Sequence, residues 1–192
     1  MRLISHRDLL RTFERLFRRA EICVRPSEGF HPKPRMNFAS PLALGIAGLD
    51  EVLEVDLAAP QLLETLLETL NRHSVPGLRF HSAESLDHTR KAQARSLRYA
   101  AALPESEVER VALAAAALWA APSCLAIRES DGRSIDIRPL IEELSVKGQS
   151  LQMTLLVSDQ IGVRARDVLE QLGLSDLEMS GELFRTGVEL RA

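Results

Sequence analysis

From residue 82 to residue 96 the chain carries no apolar periodicity: Asp87, His88, Thr89, Arg90, Lys91 and Gln93 follow one another, with Leu86 and three alanines as the only apolar residues. A polar, aperiodic break of that length runs over a surface and not through a core. It divides 192 residues into two stretches of just under ~100 residues, each of a size that closes one small core. The expected organisation is one domain over residues 1–84 and a second over residues 95–192.

In the first stretch Ser5 stands where a helix needs an N-cap. Its hydroxyl can accept from the backbone N–H of Asp8, whose carboxylate suits the first turn. The helix expected over residues 6–20 puts Leu9, Leu10, Phe13, Leu16, Phe17 and Ala20 on one face at ~100° per residue. Ile22, Cys23 and Val24 read as a short buried strand, ended by Arg25 and Pro26. Strands are expected over 38–44 and 52–57, with Gly45, Gly48 and Asp50 as the turn between them. A helix over 60–73 carries Leu62, Leu63, Leu66, Leu67 and Leu70 on one face, and Pro76-Gly77 closes it before a strand over 78–82.

The second stretch repeats the order. A strand over 97–103 precedes a helix over 104–121, with Glu105, Glu107 and Glu109 near its start. A strand over 124–128 turns at Asp131-Gly132 and pairs back over 135–137. Leu144, Ser145 and Val146 lead through a Lys147-Gly148 turn into a strand over 151–157, followed by a helix over 163–172 and a strand-like tail over 177–185. Strand, helix, strand, strand, helix, strand is the split βαβ order of the ferredoxin-like fold. The second stretch has it whole with an added hairpin; the first has its opening strand shortened to Arg2, Leu3 and Ile4, or missing. The expected fold class is therefore α+β, with two tandem ferredoxin-like units whose antiparallel sheets carry helices on one face. A shortened first strand leaves a sheet edge open, on which a second copy of the chain can pair as a homodimer. Such a scaffold does not dictate function.

Chemistry is bounded by composition. With 45% hydrophobic and 27% charged residues, the chain has the balance of a globular protein. No run nears the ~18–20 apolar residues of a membrane span, and Arg2, Arg7 and Asp8 bring charge too early for a signal peptide, so the cytoplasm is the expected compartment. Cys23 and Cys124 are too few and too far apart for a disulfide framework, a thiolate zinc site or the ~3–4 ligands of an iron–sulfur cluster; each reads as a small core residue. No cofactor is implied. Trp119, on an alanine-rich helix, reads as core packing. Aromatics make up 4% of the chain, so a surface built on stacked bases would be thin.

The net charge of −3 conceals an asymmetry. Residues 1–38 hold nine Lys/Arg against four Asp/Glu, and the remainder holds fifteen against twenty-three. A basic patch on an otherwise acidic protein suits a polyanion. On the helix over 6–20, Arg7, Arg11, Arg15 and Arg18 fall within an arc of roughly 80° opposite the apolar face. Like charges at i, i+4 repel unless something anionic lies along them; the plainer reading is a solvated face partly neutralised by Glu14. In residues 27–35, Gly29, Pro32 and Pro34 enforce a fixed, irregular path. That path sets His31, Lys33 and Arg35 on a stiffened segment, where binding residues concentrate. The GxxxxGK[ST] spacing of a phosphate-cradling loop is absent.

His6, Asp8 and His31 are ligand types for zinc or iron, but no ligand spacing accompanies them, so no metal is expected. His73, His81 and His88 are scattered over a helix end, a strand and the polar break. No local signature of a nucleophile such as GxSxG is present.

Ser5-His6-x-Asp8, Arg11, Glu14-Arg15 and Arg18-Arg19-Ala20, then Ser27-x-Gly29-Phe30-His31-Pro32-x-Pro34 and Pro41-Leu42-x-Leu44-Gly45, together resemble the radical-SAM-linked protein family. This is a bacterial domain of unknown function, found alone or with a B12-binding radical SAM protein. The motifs cover residues 5–45; from Glu51 onward the likeness is one of element order. Family members carry a longer strand before the Ser-His motif. The resemblance implies an accessory role, and the family's genomic setting beside an RNase E/G-type ribonuclease associates it with RNA.

Three functions follow as expectations. The leading one is an accessory module that grips an RNA backbone, such as that of tRNA or rRNA, through Arg7, Arg11, Arg15, Arg18, His31, Lys33 and Arg35. Guanidinium forks suit phosphate, and recognition would run on phosphate and shape. The second docks the same basic face onto an acidic surface of a B12-binding radical SAM protein. The third is a His-dependent RNA-processing enzyme with His6 as general acid or base beside Asp8 and His31, by analogy with ferredoxin-like RNA-cleaving proteins. Only the third assigns catalytic residues.

Overall fold

The computed structural model describes residues 2–86, 91–128, 132–158, 162–175, 177 and 181–191. The elements run α1 (His6–Arg19), β1 (Met36–Phe38), β2 (Ala47–Gly48), β3 (Leu53–Val55), α2 (Leu63–His73), β4 (Ala94–Ala102), α3 (Val108–Ala120), β5 (Leu125–Ile127), β6 (Ser134–Asp136), β7 (Ile141–Lys147), β8 (Ser150–Leu156), α4 (Ala165–Gln171) and β9 (Leu183–Leu190). The architecture is α+β, and the chain divides into two compact units. The first comprises Leu3–Leu44 and Val52–Ala92; the second comprises Gln93–Ala192 with Gly45–Glu51 and Arg2. Among the described residues no helix is long and apolar enough to cross a membrane.

In the first unit, α1 starts where Ser5 requires. The Asp8 N–H donates to Ser5 Oγ at 3.2 Å, and that hydroxyl donates on to the Asp8 carboxylate at 2.7 Å. The helix ends after Ala20 with Glu21 left-handed at φ 56° and the Ile22 N–H on the Phe17 carbonyl at 2.9 Å, a Schellman closure made without glycine. Phe13, Leu16 and Phe17 bury against Leu66 and Leu70 of α2. Leu62 and Leu63, expected on the same apolar face, are exposed, because Leu62 is still extended and the helical wheel begins only after it.

Two expected strands of this unit do not form. Ile22, Cys23 and Val24 make a single antiparallel bridge, Val24 to Leu57, since the Schellman turn already holds the Ile22 N–H. Cys23 is exposed and not a core residue. At 78–82, Leu78 and Phe80 pack against the core, but the side chain of Asn71 takes both the N–H and the carbonyl of Phe80 at 2.9 Å, in place of a partner strand. Of the strand expected over 38–44 only Phe38 is paired, as the last residue of β1; residues 39–44 form no strand. Among the described residues the paired strands of this unit are β1 and β3, antiparallel with Asn37 opposite Glu54.

The second unit is built on a five-stranded sheet in the order β2-β9-β4-β8-β7, antiparallel throughout except for β2, which runs parallel to β9. β7 and β8 form the expected hairpin at Lys147-Gly148, with Gly148 at φ 59°. Alternate residues of β4 and β8, among them Leu97, Tyr99, Leu151 and Met153, are buried with Val111 and Leu118 of α3 and Val168 and Leu169 of α4. β5 and β6 pair apart as a two-stranded sheet. Asp131 of their expected turn lies outside the described residues, as does His88. Cys124 precedes β5 and is half-buried; burial and the nearby Asp136 push its thiol up. Trp119 is not core: it is 41% exposed and lies beneath the Arg138 guanidinium at 4.2 Å. The last strand is shifted from the expected 177–185 because Leu172, Leu174 and Leu177 pack after α4, and Gly181 at φ 86° turns the chain into β9.

Gly45–Glu51, expected as a turn, belongs to this second unit. Its β2 lies along β9, and the Leu49 N–H donates to the Arg185 carbonyl at 2.9 Å. Arg185 is 1% exposed. Its Nε donates to Glu51 Oε1 at 2.7 Å, and its Nη2 donates to Glu51 Oε2 as well. Burial disfavours the guanidinium charge, but hydrogen bonds and charge from Glu51, with Tyr99 in support, hold its pKa above the ordinary value.

Candidate nucleic-acid interface

The apolar face of α1 is fixed by Phe13, Leu16 and Phe17, so the opposite face is left to solvent, and Arg7, Arg11, Arg15 and Arg18 lie exposed along it. Arg11 Nη1 is 3.4 Å from Asp8 Oδ1, a pair more than half exposed on both sides and worth only ~0–1 kcal/mol. Among the described residues the side chains of Arg7, Arg15 and Arg18 have no hydrogen bond or ion pair, and that of Glu14, the residue expected to neutralise the row, forms none either. Arg19 is different: its Nη2 donates to the His73 carbonyl at 2.7 Å and ties α1 to the end of α2.

Residues 27–35 form a narrow two-sided loop. Pro26 and Pro34 bridge antiparallel, the Ser27 N–H donates to the Lys33 carbonyl at 2.7 Å, and the Lys33 N–H returns to Ser27 Oγ at 3.0 Å. At its base the Arg35 guanidinium lies 3.0 Å from Glu28 and 3.5 Å from Asp56, which also faces Arg25 at 3.7 Å. Arg35 is therefore a brace of the loop. His31 and Lys33 lie exposed, and Gly29 takes φ 123°, a conformation L side chains rarely adopt.

His6 is drawn elsewhere. Its ring meets Phe38 edge-on at 5.3 Å, and Phe13 meets the same ring at 5.7 Å. His6 thus sits on the apolar side of α1, roughly 140° around the helix from the arginine row. Asp8 serves the cap and Arg11. Among the described residues no three of His, Cys, Asp and Glu converge as a metal-holding group. The structure therefore aligns Arg7, Arg11, Arg15 and Arg18 with one another and His31 with Lys33, and separates His6 from the row. Phe30, not among the expected site residues, is 101% exposed at the loop tip. A phenylalanine beside Gly29 in a loop without periodicity carries no sign of whether it is buried.

A model of the DUF2344 family, described as an uncharacterized protein conserved in bacteria, matches residues 1–165. The chain belongs to the DUF2344 family. The matched span takes in α1, the 27–35 loop and all of the sheet except β9, and ends at the first residue of α4. A comparison with curated proteins finds no match. In this DUF2344 protein the row of α1 and the loop tip are two adjacent sequence features of one compact unit that leave cationic side chains without a partner among the described residues.

Proposed function

We propose that this DUF2344 protein is an accessory binding module that holds an RNA backbone along α1. One observation carries the reading: Arg7, Arg15 and Arg18 stand exposed in a single row with no anionic partner among the described residues. Like charges at i, i+3 and i, i+4 cost the helix ~0.2–0.5 kcal/mol per pair, and phosphates spaced along a nucleic acid would reverse that sign. Arg35 drops out of the ligand set because Glu28 and Asp56 hold it; Lys33 and His31 remain. The radical-SAM link belongs to this reading through the resemblance of residues 5–45. A ferredoxin-like second unit belongs to it through the sheet order β9-β4-β8-β7, with α3 following β4 and α4 following β8. The tandem form has less support, since the first unit pairs only β1 with β3.

The test is fluorescence anisotropy of labelled RNA over a salt series. Each of Arg7→Gln, Arg15→Gln and Arg18→Gln is expected to lower the salt slope by about one unit, with little change in sequence preference. Unchanged affinity of the triple variant at low salt would sink the reading. Loss of that effect, with persistent capture of a protein from nuclease-treated extract, would favour docking on an acidic protein surface.

A further inference from the structure

Phe13, Phe17, Phe38 and Phe80 all belong to or pack against the core of the first unit, whereas Phe30 is fully exposed. Leaving a phenylalanine in water forgoes roughly 1.5–3 kcal/mol of burial, and a single exposed apolar residue on a floppy loop would mean little. This loop is held, however. The Ser27 N–H on the Lys33 carbonyl and the Lys33 N–H on Ser27 Oγ close its base, the exposed Arg35–Glu28 pair adds only ~0–1 kcal/mol, and Pro32 and Pro34 fix the backbone on one side. An aromatic ring on a loop closed at its base binds with a smaller ordering cost than one on an open chain. Its neighbours are His31 and Lys33, both exposed.

We propose that Phe30 is a stacking platform for an unpaired base of bound RNA, with Lys33 meeting the adjoining phosphate. The proposal rests on the RNA reading above and adds to it a selection for single-stranded segments. A phenyl ring offers a face and no hydrogen-bonding edge, so it rewards any base that can be laid on it and distinguishes little between them. A duplex keeps its bases stacked on one another and offers no such face. The charge of residues 1–38, nine basic against four acidic, favours a polyanion over an apolar protein pocket as the occupant of the tip.

The experiment uses the full chain with a labelled oligoadenylate and a labelled blunt RNA duplex of matching length. Phe30→Ala is expected to weaken oligoadenylate binding by roughly 5- to 150-fold, the equivalent of ~1–3 kcal/mol. Duplex binding, the salt slope and the melting temperature should stay where they are, because a phenyl ring releases no counterions. Phe30→Trp should restore binding, and Phe30→Leu should not. If the wild-type chain binds RNA and Phe30→Ala binds oligoadenylate equally well, the stacking proposal is wrong and the RNA reading stands. Equal weakening on both RNAs also overturns stacking. Failure of the wild-type chain to bind either RNA at low salt overturns both readings together.

Discussion

Asp167 lies 2% exposed at the start of α4, where the backbone N–H and the guanidinium of Arg164 donate to it at 2.9 and 2.8 Å and Arg128 approaches at 3.3 Å. Burial pushes its carboxyl up, but those donors and positive charges outweigh it, and the group titrates below the ordinary carboxylate range. A carboxyl whose folded pKa is depressed stabilises the fold fully above its unfolded value, near pH ~4, and that contribution is lost as pH falls through the folded value. Asp167→Asn is therefore expected to lower stability at neutral pH and to flatten the acid limb of the unfolding curve, followed by circular dichroism over a pH series. An acid limb as steep as the wild type's would contradict the assignment. Residues of this kind are where sequence reading stops. Arg185 occupies a strand position that pattern alone reads as an exposed end, and only the arrival of Glu51 explains its burial. Phe30 errs in the opposite direction, a core residue type set in water. The arginine row was legible because it needs only the pitch of one helix.

At the scale of elements, legibility followed locality. α1 announced itself through Ser5 and the spacing of Phe13 and Phe17, and the β7–β8 hairpin through Lys147-Gly148, since cap, period and turn all lie within a few residues. The strands expected at 22–24 and 78–82 failed because an apolar run reports burial and not pairing: a Schellman turn and the amide of Asn71 took the backbone groups that a ladder needs. β2 was invisible for a third reason, two residues whose pairing depends on a strand far along the chain. That element can be tested through Gly48. A Cβ there would stand 2.5 Å from Glu51 Oε1, and Glu51 is not free to retreat while Arg185 holds it. Glu51→Ala strands a buried guanidinium and should destabilise by about 3 kcal/mol, the lower part of the usual range because Tyr99 remains beside Arg185. Gly48→Ala should act through the same pair. In a denaturant-measured double-mutant cycle the two changes should then fall well short of additive; full additivity would show that Gly48 matters for another reason.

At the scale of the whole molecule, the two compact units are not two consecutive lengths of chain. Gly45–Glu51 interrupts the first and completes the second. Cutting the protein after Ala92 therefore does not separate it cleanly. The isolated Gln93–Ala192 piece would lack Glu51 and β2, leaving Arg185 without its carboxylate and the outer edge of β9 unpaired. It should unfold at lower denaturant than the same unit in the full chain and self-associate with rising concentration on size-exclusion chromatography. A monodisperse fragment of full stability would disprove this account of β2. The interruption also acts in time. Glu51 is synthesised 134 residues before Arg185, a gap of roughly 7–27 s at bacterial-to-eukaryotic translation rates of ~5–20 residues per second. Until Arg185 follows, Gly45–Glu51 has no strand to join, and Ile46, buried in the finished fold, lies in a segment whose sheet is not yet made. The ribosome's pace between these codons thus sets how long the nascent chain displays an unsheltered segment, and slowing it there would lengthen that exposure without altering a single residue.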